Sequence, residues 1–283
     1  MRSLRAGAVL AQLFCVVSVA AAQSHPGVTF DETIRTVTRK AESVDSASQT
    51  IHVTAAGSNL RFEMGAVPTE ASVLPIGDHP VMIMTDGGTT MFFINSDKKE
   101  YMSLKPLEMM QGARQMIESM GGSFQFDSTK TRFTLDSIGP GPVINGHPTL
   151  HYRMEMAFRI TVSMMGSVST VEQESSTEIQ AATDLGDVKQ VAAGMNRFAD
   201  ITQAMGVGKD LMDRALAAQE KMRGIPLRMV KQETRTAAGI KTTITETIEN
   251  SNIKHLSVPD SSFVVPPDYK PVALPGFPGT VNQ

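Results

Sequence analysis

The chain has 283 residues, 41% hydrophobic and 19% charged, with a formal net charge of −3, no tryptophan, 19 methionines and one cysteine. That length and balance fit one globular domain with a sizeable core. They lack the concentrated basic surface of a nucleic-acid-binding protein, and one thiol excludes a disulfide framework or a cysteine metal site.

The first segment to be assigned is 1–22. Arg2 and Arg5 precede an apolar run over 8–22, broken only by Gln12 and Ser18, and no acid occurs before Asp31. The run ends in Ala20-Ala21-Ala22 before Gln23. A basic start, an apolar centre and small residues at the end define a secretory signal cleaved after Ala22. The run is shorter than the roughly 20 apolar residues of a membrane span. Cys15 lies inside it behind the bulky Phe14, which argues against lipid attachment. The expected mature chain, about 261 residues (283 − 22) with a net charge of about −5 (24 − 29), is periplasmic or secreted, with no transmembrane anchor and no thiol.

Beyond the signal, period-two patterns dominate. A first strand is expected over 28–38, then a pair over 50–54 and 59–64, in which Leu60, Phe62 and Met64 share a face. Turn formers make 67–80 a loop. Strands over 81–84 and 89–94 flank Asp86-Gly87-Gly88, a hairpin signal, and a third follows over 100–104. Pro106 starts a short helix that Gly121-Gly122 ends. Strands over 124–126 and 132–138 come next.

The clearest strand spans 150–164, with Leu150, Tyr152, Met154, Met156, Phe158, Ile160, Val162 and Met164 at every second position. At about 3.3 Å per residue it would reach roughly 50 Å, so it is expected to bend. Gly166 turns it into a polar partner over 168–179. Apolar stripes predict two helices, one from 188 to 205 carrying Met195 and Phe198, the other over 211–222. A hairpin of strands 228–233 and 240–248 follows, then a proline-rich tail from Pro259, expected to be extended or mobile. The sum is an α+β class: a curved antiparallel half-barrel whose concave face about three helices cover. Residues 23–270 form the single domain and 271–283 the Pro/Gly-rich tail.

Several of these segments carry a resemblance. Gly224-Ile225-Pro226-Leu227-Arg228, the Thr/Ile/Glu strand over 242–249, the run from Val258-Pro259-Asp260 to Tyr269, Met82-Ile83-Met84 and Lys99-Glu100-Tyr101 resemble an uncharacterised family of bacterial secreted proteins, the domain-of-unknown-function family numbered 4412. That family is similar at a distance to the LolA/LolB lipoprotein carriers. The resemblance implies a curved antiparallel sheet with helices in its concavity and acyl chains bound there; no carrier residue maps onto a position here.

The residues themselves offer one site. Tyr152, Met154, Met156, Phe158 and Ile160, with Met195 and Phe198 from the helix above, would line a cleft for a lipid or other apolar ligand, or else form a closed core beneath the helices. His147 and His151 would fall on one strand face about 13 Å apart, too far for one metal ion. Gln23-Ser24-His25 at a free terminus would be either a copper site or a mobile end. Glu172, Glu174 and Glu178 read as a solvated face. His79 beside Asp78 has no serine in a catalytic setting, no G-x-S-x-G elbow occurs, and Gly206-Val207-Gly208 lacks the rest of a dinucleotide fingerprint. The expectation is a binding or carrier module for a lipid or other apolar ligand, or else an envelope protein-interaction or stress-sensing module with a closed core and no small ligand, in either case with no enzymatic activity, no cofactor and no nucleic acid.

Overall fold

The computed structural model describes residues 24–41, 43–65, 77–164, 166–186, 214, 217–218 and 221–273. The chain enters through β1 (Ser24–Lys40), β2 (Ser43–Ala56) and β3 (Asn59–Met64), then the short meander β4 (Val81–Thr85), β5 (Thr90–Asn95) and β6 (Glu100–Leu104). Helix α1 (Pro106–Ser119) leads to β7 (Ser123–Phe126), β8 (Arg132–Pro140), β9 (Thr149–Met164) and β10 (Ser167–Ala182). After the excursion 183–224 come β11 (Ile225–Ala237), β12 (Ile240–Pro259) and a two-residue β13 (Lys270–Pro271).

All thirteen strands join one sheet in the order β13-β6-β5-β4-β3-β2-β1-β12-β11-β10-β9-β7, with β8 beside β7 along the outer edge of β9. Every pairing between the strands is antiparallel except that of β13 with β6. Among the described residues the ends of the sheet do not pair, so it is open. Its curl follows from α1. Laid flat, β6 and β7 would stand on the order of 48 Å apart, at about 4.8 Å per strand. The connection 105–122, with its 14-residue helix, reaches about 34 Å at most. The sheet must therefore curl until α1 can cross its open side.

Alternation decides which face goes inside. One face carries Val28, Phe30 and Ile34 of β1, Ile51 and Val53 of β2, Leu60 and Phe62 of β3, and the β9 run from Leu150 to Ile160. The other carries cross-strand ion pairs: Arg35 with Glu249 at 3.0 Å, Arg153 with Glu178 at 2.7 Å, and Arg159 with Glu172. Each exposed pair contributes only about 0–1 kcal/mol. Together they keep that face in water, and the apolar face takes the inside of the curl.

Three register shifts bend the long strands, at Thr29/Asp31, Ser137/Gly139 and Gln180/Ala181. At the first, Asn252 takes a φ of 54° and its Nδ2 donates to Asp31 Oδ2 at 2.7 Å, so the side chain that tolerates the left-handed conformation also ties down the bulge. Nearby, β1 and its neighbours pack so closely that a Cβ on Gly27 would sit 2.6 Å from both the Ala55 carbonyl oxygen and Val258 Cγ2.

The outer face is not polar everywhere. Over β3–β6 a second apolar layer forms from Ala56, Ile83, Ile94, Val258 and Phe263, with Phe92, Tyr101, Val265 and Tyr269 against it. The segment after β12 supplies the cover: a 3-10 turn over Asp260–Phe263, then β13 alongside β6. The expected extended or mobile tail is thus, as far as residue 273, a strap packed on the sheet.

The expected count of about three helices is corrected. Among the described residues α1 is the one complete α-helix. The helix expected over 188–205 lies outside the described residues, and of the one over 211–222 only Arg214, Ala217, Ala218 and Lys221 are described, each helical. Several strands also run beyond their expected ends, β12 for 20 residues to Pro259.

Candidate functional site

The inner face is built row by row from strand register. Tyr152 stands opposite Ile179, Ile179 opposite Met229, Met229 opposite Ile248, and Ile248 opposite Ile34. Antiparallel partners point to the same side, so these five side chains form one apolar band across β9, β10, β11, β12 and β1. Tyr152 is 4% exposed, and its hydroxyl accepts a hydrogen bond from the Arg223 amide at 3.1 Å. That bond fixes the end of the excursion 183–224 over the inner face, where Met222 packs against Tyr152, Ile179 and Ala181.

Further along β9, Met154 faces Leu135 of β8 and Met156 faces Phe133. Ile160 faces Phe126 of β7, and Phe158 stacks on Phe126 with ring centroids 6.3 Å apart. Met154, Met156, Phe158 and Ile160 are half-buried. The structure thus brings five of the expected lining residues onto one face, whereas Met195 and Phe198 lie outside the described residues.

A larger apolar area sits on the meander side, where sequence reading named no site. Val28, Phe30, Ile51, Val53, Ala55, Leu60 and Met84 form a buried cluster, and Ile34, Phe62, Met64, Met82, Met91 and Ile253 pack on it. The signal was present in the alternation of Leu60, Phe62 and Met64. What joined it to β9 is the β1–β12 pairing, which spacing along the chain does not reveal.

Polar groups interrupt this face along its middle strands. Glu32 stands between Ile51 on β2 and Asn250 on β12. Burial raises its pKa above the usual 4.5, and Glu246 adds to the rise. Thr177, Lys231 and Glu246 make one cross-strand row. Lys231 Nζ lies 2.6 Å from Glu233, whose side chain is 9% exposed. Among the described residues, Thr177 Oγ1 and Asn250 Oδ1 are buried on this face without a hydrogen-bond partner.

Glu32 carries a stability prediction. A carboxyl whose pKa is raised by folding favours the fold at low pH, and that contribution is lost as pH rises through 4.5 towards the raised value. Glu32→Gln removes the penalty. We expect the variant to melt higher than the parent at about pH 7, and the difference to vanish as the pH falls below the ordinary carboxylate range. Melting curves of both proteins across that interval check it.

The histidines and outer carboxylates take structural partners. His147 Nδ1 lies 2.9 Å from Asp184, in the turn before β9, and His151 meets Glu178, to which Arg153 also donates. Burial pushes the Glu178 carboxyl up, but the bonds from Arg153 and His151 outweigh it and hold it below the usual range. Glu178 and Glu172 are therefore ion-paired rather than merely solvated. The two readings of 23–25 change as well: Ser24 and His25 belong to β1, opposite Pro259 and Val258, and His25 pairs with Asp260 at 3.1 Å. From Ser24 on, this end is thus a strand rather than a loose terminus, while Gln23, which the copper reading needs, lies outside the described residues. No group of three His, Cys, Asp or Glu side chains among the described residues could hold a metal ion. Among them, too, no helix is long and apolar enough to cross a membrane. His79 and Asp78 sit in the bend before β4, and Gly206-Val207-Gly208 lies outside the described residues.

Comparison with known proteins adds little weight. No family model and no curated protein matches the chain, so the family numbered 4412 gains no support. Among solved structures, one similar chain is a domain described as an outer membrane lipoprotein-sorting protein from Vibrio parahaemolyticus, with 9% identity over 84% of this chain and 89% of that one, at a TM-score of 0.27. Another is a DUF1329 family protein from Desulfovibrio piger, with 9% identity over 85% and 90% of the two chains, at a TM-score of 0.20. The first is of the kind that the LolA/LolB resemblance points to, but TM-scores this low carry no argument about this fold or its use.

Proposed function

We propose that this chain is an exported binding or carrier module for a lipid or other apolar ligand, working in the bacterial envelope after cleavage behind Ala22, and that it is not an enzyme. The observation that carries the reading is the inner face itself. It is apolar and rich in methionine on the meander side and along β9, the two areas are joined by the band from Ile34 to Tyr152 across the more polar middle strands, and among the described residues the sheet that carries it is open at its edges. Methionine adapts to varied apolar partners, and ligand clefts are mostly apolar with a few placed polar groups.

The test is binding of a neutral apolar probe, N-phenyl-1-naphthylamine, whose fluorescence rises in apolar surroundings. We expect saturable binding by the mature chain. Met156→Asp, which puts a charge among Phe133, Ser175 and the rest of that row, is expected to weaken it by at least about tenfold, or about 1.4 kcal/mol. Unchanged binding by a folded Met156→Asp variant would sink the reading.

One observation favours the alternative, an envelope protein-interaction module with a closed core. Among the described residues the outer edge of β8 has no strand beside it, and Ile138 of β8 and Val143 just after it are exposed. An open edge accepts a strand from a partner. A partner retained by Met156→Asp as firmly as by the parent would support that alternative.

A further inference from the structure

The polar groups on the inner face are not a random sprinkling. Glu32 lies between Phe30 and Ile34 on its own strand, all three on one side, with Ile51 opposite on β2 and Asn250 opposite on β12. Its carboxylate has no hydrogen-bond or ion-pair partner among the described residues. Asn250 is 7% exposed; its Nδ2 donates to the Pro226 carbonyl at 2.9 Å, which leaves Oδ1 as the free end. Thr177, 5% exposed, leaves Oγ1 unpartnered two strands away. The second carboxylate, Glu246, stands opposite both Thr36 and Lys231. The cation in that row is already engaged, since Lys231 is held by Glu233.

Around Glu32 what is left over is therefore acceptors, its carboxylate and Asn250 Oδ1, with no free side-chain donor among their described neighbours; the Thr177 hydroxyl, which donates as well as accepts, and the Lys231 ammonium stand in a separate row, four residues along β12 at Glu246. Leaving such groups buried and unpaired costs free energy that a matching ligand recovers. A fatty acid or another anionic head brings only more acceptors and is repelled. A neutral alcohol offers one donor. A primary ammonium offers three and one positive charge, enough to pair with the Glu32 carboxylate and the Asn250 oxygen while its tail lies against Phe30, Ile34, Ile51 and Met64. We propose that the inner face selects lipids whose head group ends in a primary amine, with Glu32 as the charge partner and Asn250 as a second acceptor. This rests on the carrier reading and names the ligand class for the same site.

The experiment is displacement of bound N-phenyl-1-naphthylamine from the mature chain by dodecylammonium, dodecanol and dodecanoate at neutral pH. A second series compares short-chain phosphatidylethanolamine with phosphatidylcholine, whose head has no N–H, and phosphatidylglycerol. We expect dodecylammonium to bind at least about tenfold tighter than dodecanoate, and phosphatidylethanolamine tighter than both other phospholipids. In Glu32→Gln the amine preference should fall to about twofold or less, with dodecanol unchanged. If dodecanoate binds as well as the amine, or if Glu32→Gln keeps the preference, the proposal is wrong while the carrier reading stands. If phosphatidylcholine matches phosphatidylethanolamine, the amine hydrogen bonds are wrong. If no probe binds, both fail. Should Glu32→Gln not fold, Asn250→Leu takes its place in the comparison, with the same loss of amine preference expected and retained preference overturning the role given to the pair.

Discussion

Phe263→Ala is expected to destabilise the protein by about 3–5 kcal/mol, the range for deleting a buried phenylalanine side chain. Phe263 is 5% exposed, at the end of the 3-10 turn Asp260–Phe263, and it packs with Ala56, Ile83, Ile94 and Val258 on the outside of the meander. The loss goes beyond the ring. Ile83, fully buried, belongs to the same cluster, and the Arg61 guanidinium donates to the Ser262 carbonyl at 3.3 Å in the same turn. Urea unfolding of the variant beside Val264→Ala checks this. Val264 is 59% exposed, so its truncation should change stability by no more than about 0.5 kcal/mol. Equal effects at the two positions would mean that the strap does not cover the sheet in solution.

Lys231→Met is the second large effect. Glu233 is one of the most buried carboxylates of the inner face, and Lys231, with a third of its side chain exposed, is its ion-pair partner. Removing one member of a buried pair strands the other and costs about 3–5 kcal/mol. The exposure of Lys231 places the expected loss at the lower end, about 3 kcal/mol. The double variant Lys231→Met/Glu233→Leu should recover most of it, because neither charge is then left behind. Equilibrium unfolding of the three proteins makes the cycle. A double variant no better than Lys231→Met would show that the glutamate is not what makes the single change costly.

How much of this was legible in the sequence depends on how each strand is covered. β9 could be read residue by residue, because one of its faces is dry and the other carries Arg153, Glu155 and Arg159. In β4, Val81-Met82-Ile83-Met84 is apolar on both sides, which reads as a strand but hides that a strap covers one side and the curl the other. The sequence pattern ends β12 at 248 for a definite reason. The bulge at Asn252 inserts a residue, so Ile248 and Asn250 face inwards, and then Ile253 does. A period-two reading breaks there although the strand continues. The first residues of β1 precede the alternation that starts at Val28, and Gly27 there marks close packing. The line of Tyr152, Met154, Met156, Phe158 and Ile160 was visible as a pattern. Glu32 was not, since one acid in a polar stretch of strand reads as solvated. Only its register, with Ile51 on one side and Asn250 on the other, turns it inwards.

The seam between β1 and β12 has a kinetic meaning. It pairs residues such as Ile34 and Ile248 from opposite ends of the chain, and it holds the two halves of the inner face together. A chain synthesised from its N-terminus presents β1 and β2 first and β12 almost last. Until residue 259 has emerged, one edge of β1, 17 residues long, has no strand to bond. Contacts this distant in sequence are slow to form, and an open strand edge invites pairing with other chains. The nascent protein therefore passes through a period in which its longest N-terminal strand is adhesive. Folding must either be shielded during that period or be finished by arrival of the C-terminal hairpin, which closes the seam and, through the strap that follows, seals the outer face of the meander in the same event.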